Sequence, residues 1–514
     1  GFLMLLPLAL LGGFLGSLAF PHPGWWPVLF PSLFILLWSL RLTRQMRHRG
    51  FSRFAIGIAW GAGFFLYQLR WLQVPADSPG PWLALCALEI AFICVFAELW
   101  AEGDARMLSW GKLGWIARLL WAPVAWLSLE QLRSWVPFHG FPWAKLGFSL
   151  VDSPLGAWAP WGGSLGVGGA AVMVVVSCLE LFTRNEARVW RLANVVVVVA
   201  LCVAPAYLQV SLPQKTGEIR VGAVQGNTPG REPQSAFGSG GQVLDNHVRE
   251  SLRLAQRSGK VDLVLWAENA ADIDPQDSSR AAGQLDRVTQ AFDAPLLAGT
   301  LEETDTGTLR NTILLWDRGQ VRTKYSKSHL VPFGEYLPWR STLESLVPDL
   351  ASLVPRDMES GDQVAQLSLH TGGEDLVIGT PICYEIADDG LVRQAASGAN
   401  FLYVPTSNTF FGSSDEAPQQ LQIARFRARE HGLDLVQVST MDSTAYINSR
   451  GQVVGKVIQN FESGSFTTPI NLREGNTPAT VYGSYQEMIV LGLFALVLLG
   501  MVVQSVNQRW RGSE

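Results

Sequence analysis

The chain has 514 residues, 48% of them hydrophobic and 16% charged, against about 25% charged in an ordinary soluble protein. That shortfall excludes an all-soluble chain and a disordered one. A net charge of −5 with no basic stripe gives no basis for nucleic-acid binding.

The composition is uneven along the chain. Sixteen of the 20 Trp precede residue 211, one is Trp510, and only Trp266, Trp316 and Trp339 fall between. Amphipathic rings concentrate at bilayer interfaces, so the first part reads as membrane-embedded. Eight apolar segments approach the roughly 20 residues that a spanning helix needs. They are Phe2–Phe20, Trp26–Leu40, Phe54–Val74, Trp82–Ala101, Ile116–Leu132, Ala157–Phe182, Val189–Val210 and Tyr482–Val506. The first has no basic stretch before its apolar run, so it reads as a span and not as a signal peptide ending near Ser17–Ala19.

Lys and Arg asymmetry sets the expected orientation. Arg41, Arg44, Arg47, Arg49 and Arg53 follow the second span, Arg106, Lys112 and Arg118 the fourth, Arg184, Arg188 and Arg191 the sixth, and Arg509 and Arg511 the last. Pro21–Trp25 and Pro75–Pro81, on the alternate side, contain neither residue type. Arg133 and Lys145, after the fifth span, fit least well. This pattern predicts both termini in the cytoplasm and Lys215–Tyr482 outside.

That outer segment alternates strand and helix signals. Strands are expected at Ile219–Val224, Leu263–Trp266, Leu296–Gly299, Thr312–Trp316, Leu376–Gly379, Leu402–Pro405 and Leu435–Val438. Leu244, Val248, Leu252 and Ala255 recur at helical spacing, and Phe237–Gly241 reads as a loop. Alternation of this kind predicts a layered α/β domain with its site at strand ends.

Cys86, Cys94, Cys178 and Cys202 lie in apolar runs and read as packing residues, which leaves Cys383 as the only cysteine of the polar region. It has no disulfide partner there, and the scattered His247, His370 and His431 suggest no metal site. Cys383 follows one apolar strand, Glu268 follows another, and Lys327 lies in a polar loop. Singly, each has an ordinary reading as packing, a turn residue or a solvated charge. Together they supply what thiol catalysis needs: a base to form the thiolate, the nucleophile, and a cation for the oxyanion. No sequence feature makes His329 the partner of a Cys–His pair, and it reads as structural.

The run Tyr325-x-Lys327-x-x-Leu330-Val331-Pro332-Phe333-Gly334-Glu335, with Ile382-Cys383-Tyr384-Glu385 and Trp266-x-Glu268, resembles the bacterial apolipoprotein N-acyltransferase family, the membrane branch of the nitrilase superfamily. Gly140-Phe141-Pro142-Trp143, Val224-Gln225-Gly226-Asn227 and Ser407-Asn408-x-x-Phe411-Gly412 extend the resemblance over nearly the whole chain. It implies about eight transmembrane helices plus an extracytoplasmic nitrilase-like α-β-β-α sandwich, divided as residues 1–214, 215–481 and 482–514. It implies Glu268 as general base, Lys327 as oxyanion stabiliser and Cys383 as nucleophile, with Glu335, Tyr384 and Glu385 in support. Phe410, Phe411 and Trp143 become candidate lipid contacts, although a packed aromatic pair is an equal reading of Phe410 and Phe411. The implied substrates are a membrane phospholipid, with phosphatidylethanolamine as donor, and a diacylated apolipoprotein as acceptor, in the bacterial inner membrane. No cofactor or metal is implied.

The chain departs from the family pattern at Ala267, where Pro is usual, at Phe410, where Trp is usual, and over Thr440–Thr444, where Asn and Gly are expected. These departures bear on positioning and acyl-chain contacts. Two alternatives stay open on the residues: a membrane-anchored carbon–nitrogen hydrolase, and a non-catalytic lipid or lipoprotein binder. A transporter fits less well, since Glu89 and Glu98 are the main charges within the spans.

Overall fold

A computed structural model of the chain describes residues 2–183, 188–230, 240–352 and 354–511. Arg184 and positions 237–239 of the expected Phe237–Gly241 loop lie outside the described residues. The chain divides into two compact units, one of residues 1–73, 78–210 and 482–514, the other of residues 74–77 and 211–481.

The first unit is helical: α1 (Phe2–Ser17), α2 (Leu29–Leu42), α3 (Arg49–Gln68), α4 (Pro79–Met107), α5 (Gly111–Arg133), α6 (Ala159–Thr183) and α7 (Arg188–Tyr207), with most of the C-terminal helix Pro478–Arg511. Among the described residues five helical stretches are long and apolar enough to cross a membrane: Trp26–Gln45, Pro79–Trp110, Pro154–Phe182, Arg188–Tyr207 and Pro478–Gln508. Leu3–Ser17 is apolar but shorter. The segments expected at 54–74 and 116–132 coincide largely with α3 and α5, which carry buried polar groups including Arg53, Gln68, Arg118, Glu130 and Arg133.

Several buried charges in this unit are paired, as burial in an apolar medium favours. Arg133 meets Glu89 at 3.1 Å, Arg118 meets Glu180 at 3.2 Å, Arg41 meets Asp104 at 3.0 Å, and Arg53 meets Glu98 at 2.9 Å. Arg133 also donates to the carbonyls of Phe141, Trp143 and Ala144 at 3.2, 2.8 and 3.2 Å. Arg133 and Lys145 are both buried. The two cations that fit the loop asymmetry least are therefore internal groups and not loop charges.

The second unit contains two six-stranded sheets. The first has the order β12-β1-β2-β3-β4-β5, from β1 (Gln214–Gln225), β2 (Leu263–Leu265), β3 (Leu296–Glu303), β4 (Leu309–Asp317), β5 (Gln320–Ser326) and β12 (Gly464–Glu474). The second has the order β11-β10-β9-β8-β7-β6, from β6 (Gln366–Thr371), β7 (Glu374–Gly379), β8 (Phe401–Thr406), β9 (Leu435–Ser439), β10 (Thr444–Ile447) and β11 (Val453–Ile458). In each sheet three central strands run parallel, β1–β2–β3 and β7–β8–β9, with antiparallel strands outside them.

The sheets face each other: Tyr403 Oη of β8 donates to the carbonyl of Trp266, and Thr444 Oγ1 donates to Gln225 Oε1 at 2.7 Å. Helices α8 (Gln242–Arg257) and α9 (Ser279–Phe292) cover the first sheet, and α10 (Asp389–Ala396) and α11 (Glu416–His431) cover the second. The buried face of α8 is Val243, Leu244, His247, Val248, Ser251 and Leu254. It is rotated from the expected Leu244–Val248–Leu252–Ala255 row, because His247 and Ser251 turn inward; Ser251 Oγ accepts from Trp266 Nε1 at 2.9 Å.

All seven expected strands are present. The five others are mostly edge or near-edge strands, exemplified by β5, whose first five residues are exposed or half-buried. An edge strand lacks the continuous apolar run that marks a buried one.

Candidate active site

Three chain segments leave the parallel strands and their antiparallel neighbours at one end of the sandwich, carrying Glu268, Lys327 and Cys383. Glu268 follows β2 on a segment pressed against β3, where Ala271 N donates to Gly299 O at 2.9 Å and Gly299 N to Ala267 O at 3.2 Å. A side chain at Gly299 would come within 2.6 Å of Asn269 N and 2.8 Å of Glu268 Cα, so glycine is what allows this approach. Lys327 lies just past β5, its N–H bonded to Asn311 O on β4 at 2.8 Å. Cys383 opens the 3-10 turn Cys383–Ala387 after β7, at a φ of 51°, rarely adopted by a non-glycine residue.

These three side chains come together. Lys327 Nζ is 3.7 Å from Glu268 Oε1 and donates to Glu335 Oε1 at 2.8 Å. Asn311 Nδ2 donates to Glu268 Oε1 at 2.6 Å and reaches Glu335 Oε1 at 3.4 Å. Glu335 Oε2 accepts from Val331 N at 2.7 Å, which closes the loop that presents Lys327. The Cys383 sulfur accepts from Thr406 Oγ1 at 3.3 Å and Gln420 Nε2 at 3.5 Å. Its thiol faces Asn408 Oδ1 at 3.8 Å. Glu268 Oε2 is buried without a well-aligned partner, although the neighbouring thiol favours the ionised carboxylate.

The enclosure shapes the protonation of all three. Burial pushes Glu268 above the usual carboxylate range, opposed by the charge of Lys327. Burial acts to lower Lys327, but the carboxylates of Glu335 and Glu268 outweigh it and hold the ammonium charged. Burial raises the Cys383 thiol strongly, the charge of Glu268 raises it further, and Lys327 acts against both. Burial thus favours the neutral thiol at rest, and the arrangement can move a proton from sulfur to Glu268 when an electrophile arrives.

Glu385 ties two of the three segments together. Fully buried, it accepts from Tyr325 Oη at 2.9 Å and from the backbone N–H groups of Ser328, His329 and Ile382 at 2.8, 2.9 and 2.8 Å. It therefore joins the Lys327 loop to the Cys383 turn. Glu385→Gln turns an amide toward donors and orphans at least one N–H. A loss of about 1–3 kcal/mol is expected, read as a lower thermal midpoint together with lost activity.

The remaining expected positions differ in their setting. Tyr384 is half-buried beside the thiol, and Phe410 and Phe411 form the half-buried turn Thr409–Phe411 two residues beyond β8. Trp143 belongs to the helical unit, where it is buried with its ring 5.6 Å from that of Trp71. His329 pairs with Asp388 at 2.9 Å. Among the described residues no cluster of three or more His, Cys, Asp or Glu has the makings of a metal site.

Comparison with known proteins matches two family models in tandem: an apolipoprotein N-acyltransferase N-terminal domain over residues 12–178 and a carbon–nitrogen hydrolase domain over residues 220–474. The apolipoprotein N-acyltransferase of Mycolicibacterium smegmatis is 32% identical over 525 residues, covering 96% of this chain and 84% of that one. The chain belongs to the apolipoprotein N-acyltransferase family. The apolipoprotein N-acyltransferase of Photobacterium profundum is 28% identical, with 98% and 96% of the two chains covered. Among solved structures, an amidase from Nesterenkonia sp. is 19% identical, with 51% of this chain and 93% of that chain covered and a TM-score of 0.37.

In this member of the family, several site groups carry no sequence signature. Asn311 bridges Glu268 and Glu335 from the third residue of β4, between Arg310 and Thr312, where nothing in the sequence sets it apart. Thr406, Gln420 and Asp442 surround the sulfur and its neighbours from three different elements, and no spacing rule links them.

Proposed function

We propose that Cys383 attacks an ester carbonyl of a membrane phospholipid and carries the acyl group as a thioester to the α-amino group of a diacylglyceryl-cysteine at the start of an apolipoprotein. The observation that carries this reading is the convergence of a buried carboxylate, ammonium and thiol in a chain whose full length aligns with apolipoprotein N-acyltransferases. Glu268 takes the thiol proton and returns it to the leaving lysophospholipid oxygen. Lys327, charged and held by Glu335, faces the developing oxyanion, and the backbone N–H of Tyr384 is the second donor. Glu385 positions both loops.

The donor reads as phosphatidylethanolamine by family resemblance. Phe410 and Phe411, half-buried on the turn beyond β8, are our candidates to meet acyl chains, and Trp143 is buried in the helical unit. A membrane location suits both substrates, since each CH₂ moved from lipid into water costs about 0.8 kcal/mol. Intact-mass measurement after incubation with phospholipid alone tests the first step. The expected gain is one acyl chain on the protein, removed by hydroxylamine; an unchanged mass contradicts the thioester.

The proposed topology has eight spans, residues 1–214 supplying seven and 482–514 the eighth, with residues 215–481 outside and both termini cytoplasmic. Support comes from the loop asymmetry, reinforced by the internal placement of Arg133 and Lys145. Reporter fusions at Gly240 and Gly512 should give opposite answers. Matching answers mean an even number of spans between them.

A further inference from the structure

Glu416 opens α11 and has no part in the roles above. It is 3% exposed and lies one helical turn before Gln420, whose side chain touches the Cys383 sulfur. Residues four apart on a helix share a face, with Cβ atoms about 5–6 Å apart, so Glu416 belongs to the wall of the thiol site. Asp442, fully buried in the loop between β9 and β10, belongs to the same wall. Asn408 Nδ2 donates to Gln420 Oε1 at 2.9 Å and to Asp442 Oδ1 at 3.4 Å, and Ser439 Oγ donates to Asp442 Oδ1 at 3.0 Å. Glu416 Oε2 and Asp442 Oδ2 are buried and without a hydrogen-bond partner among the described residues. Two unmet carboxyl oxygens at one buried place point to a donor that arrives from outside.

The charges around Glu416 specify that donor. Facing it are Asp442, Glu268 and Cys383, while Lys327 is engaged by Glu335 and Glu268. Burial, then the charges of Asp442 and Glu268, holds Glu416 above the usual range, and burial pushes Asp442 up to about 7. Two carboxyls in one enclosed site do not both ionise, so near neutral pH the pair holds at least one proton and a negative charge of at most one. A cation with N–H donors satisfies both open oxygens and that charge.

We propose that the Glu416–Asp442 pair receives the primary ammonium of the acyl acceptor beside Cys383 and takes the proton that must leave before its nitrogen can attack. This rests on the acyl-transfer reading and concerns its second half. The ammonium gives one proton to the pair and becomes a neutral amine. Its nitrogen lone pair then bonds to the thioester carbonyl carbon, and the carbon–sulfur bond breaks as the tetrahedral intermediate collapses. A second N–H proton passes through Glu268 to the sulfur, restoring the thiol, and the proton on the pair returns to solvent. Transfer of the acyl group to water needs no such cation site, so the pair favours an amine over water as acceptor.

The test uses the full-length enzyme in phospholipid vesicles, with a diacylated lipopeptide bearing a free α-amine as acceptor. In Glu416→Gln, thioester formation from labelled phospholipid should match the wild type. Amide formation from the preloaded thioester should fall about tenfold at pH 7, where only about one acceptor α-amine in ten is neutral without a proton acceptor. The deficit should close toward about pH 9, where an α-amine with an ordinary pKa of about 7.7–8.0 has lost its proton to solvent. Hydroxylamine, uncharged at neutral pH, should discharge the variant thioester at the wild-type rate, and Asp442→Asn should shift amide formation in the same direction. Equal slowing of both half-reactions, a deficit that persists at high pH, or unchanged amide formation each overturns the proposal. A wild-type enzyme that forms no thioester overturns the acyl-transfer reading itself, a distinct result.

Discussion

Cys383→Ser is expected to form no detectable acyl-enzyme from phospholipid while remaining folded in the membrane. Losing the nucleophile of a serine protease costs on the order of 10⁶ in kcat, and the geometry here gives serine no compensation. Serine has a far higher pKa than cysteine, and the setting already resists ionisation of the larger, more acidic thiol. Thr406 and Gln420 donate to the sulfur at 3.3 and 3.5 Å, and a hydroxyl at that position keeps the contacts without becoming nucleophilic. The fold is therefore retained and the chemistry lost. A Cys383→Ser protein that transfers acyl groups at a near wild-type rate contradicts the assignment.

Glu268→Gln and Lys327→Met should both block thioester formation at neutral pH, but respond oppositely to alkali. The negative charge of Glu268 raises the Cys383 thiol, and the positive charge of Lys327 lowers it. Removing Glu268 therefore brings the thiol down, so more thiolate is present at each pH, and raising the pH partly replaces the missing base. Removing Lys327 sends the thiol further up and takes away the charge facing the oxyanion. Loss of one oxyanion donor costs about 100- to 1,000-fold, and loss of a buried ammonium should be at least as severe, without recovery. Labelled thioester followed from about pH 7 to 9, across the usual thiol pKa, checks both. Recovery of Lys327→Met alone reverses the two roles, with Lys327 then acting mainly on the thiol pKa.

The strands that lead to Glu268 and Cys383 were legible by their apolar runs: Leu263–Leu265 is buried throughout, and the apolar second half of β7, Leu376–Gly379, is buried except for half-buried Val377. The chemistry was legible because a lone cysteine in a polar region stands out once a carboxylate and a lysine lie at the ends of neighbouring segments. Strands such as β5 and β11 were not legible, since an edge strand open to solvent shows little apolar patterning. Asn311 and Gln420 escaped notice for another reason. Each acts through a contact made by folding, 43 residues from Glu268 in one case and 37 from Cys383 in the other, and isolated amides carry no sequence signature. The charges in the helical unit show the same limit: Arg133 looked like a loop cation and is a buried clamp on the Phe141–Ala144 backbone.

Mass spectrometry of a diacylated lipopeptide incubated with the purified full-length protein and phospholipid is the most direct test. One additional acyl chain is expected on the peptide α-amine, matched by an equal amount of lysophospholipid, and neither product with Cys383→Ser. Free fatty acid released with the peptide amine unmodified contradicts it.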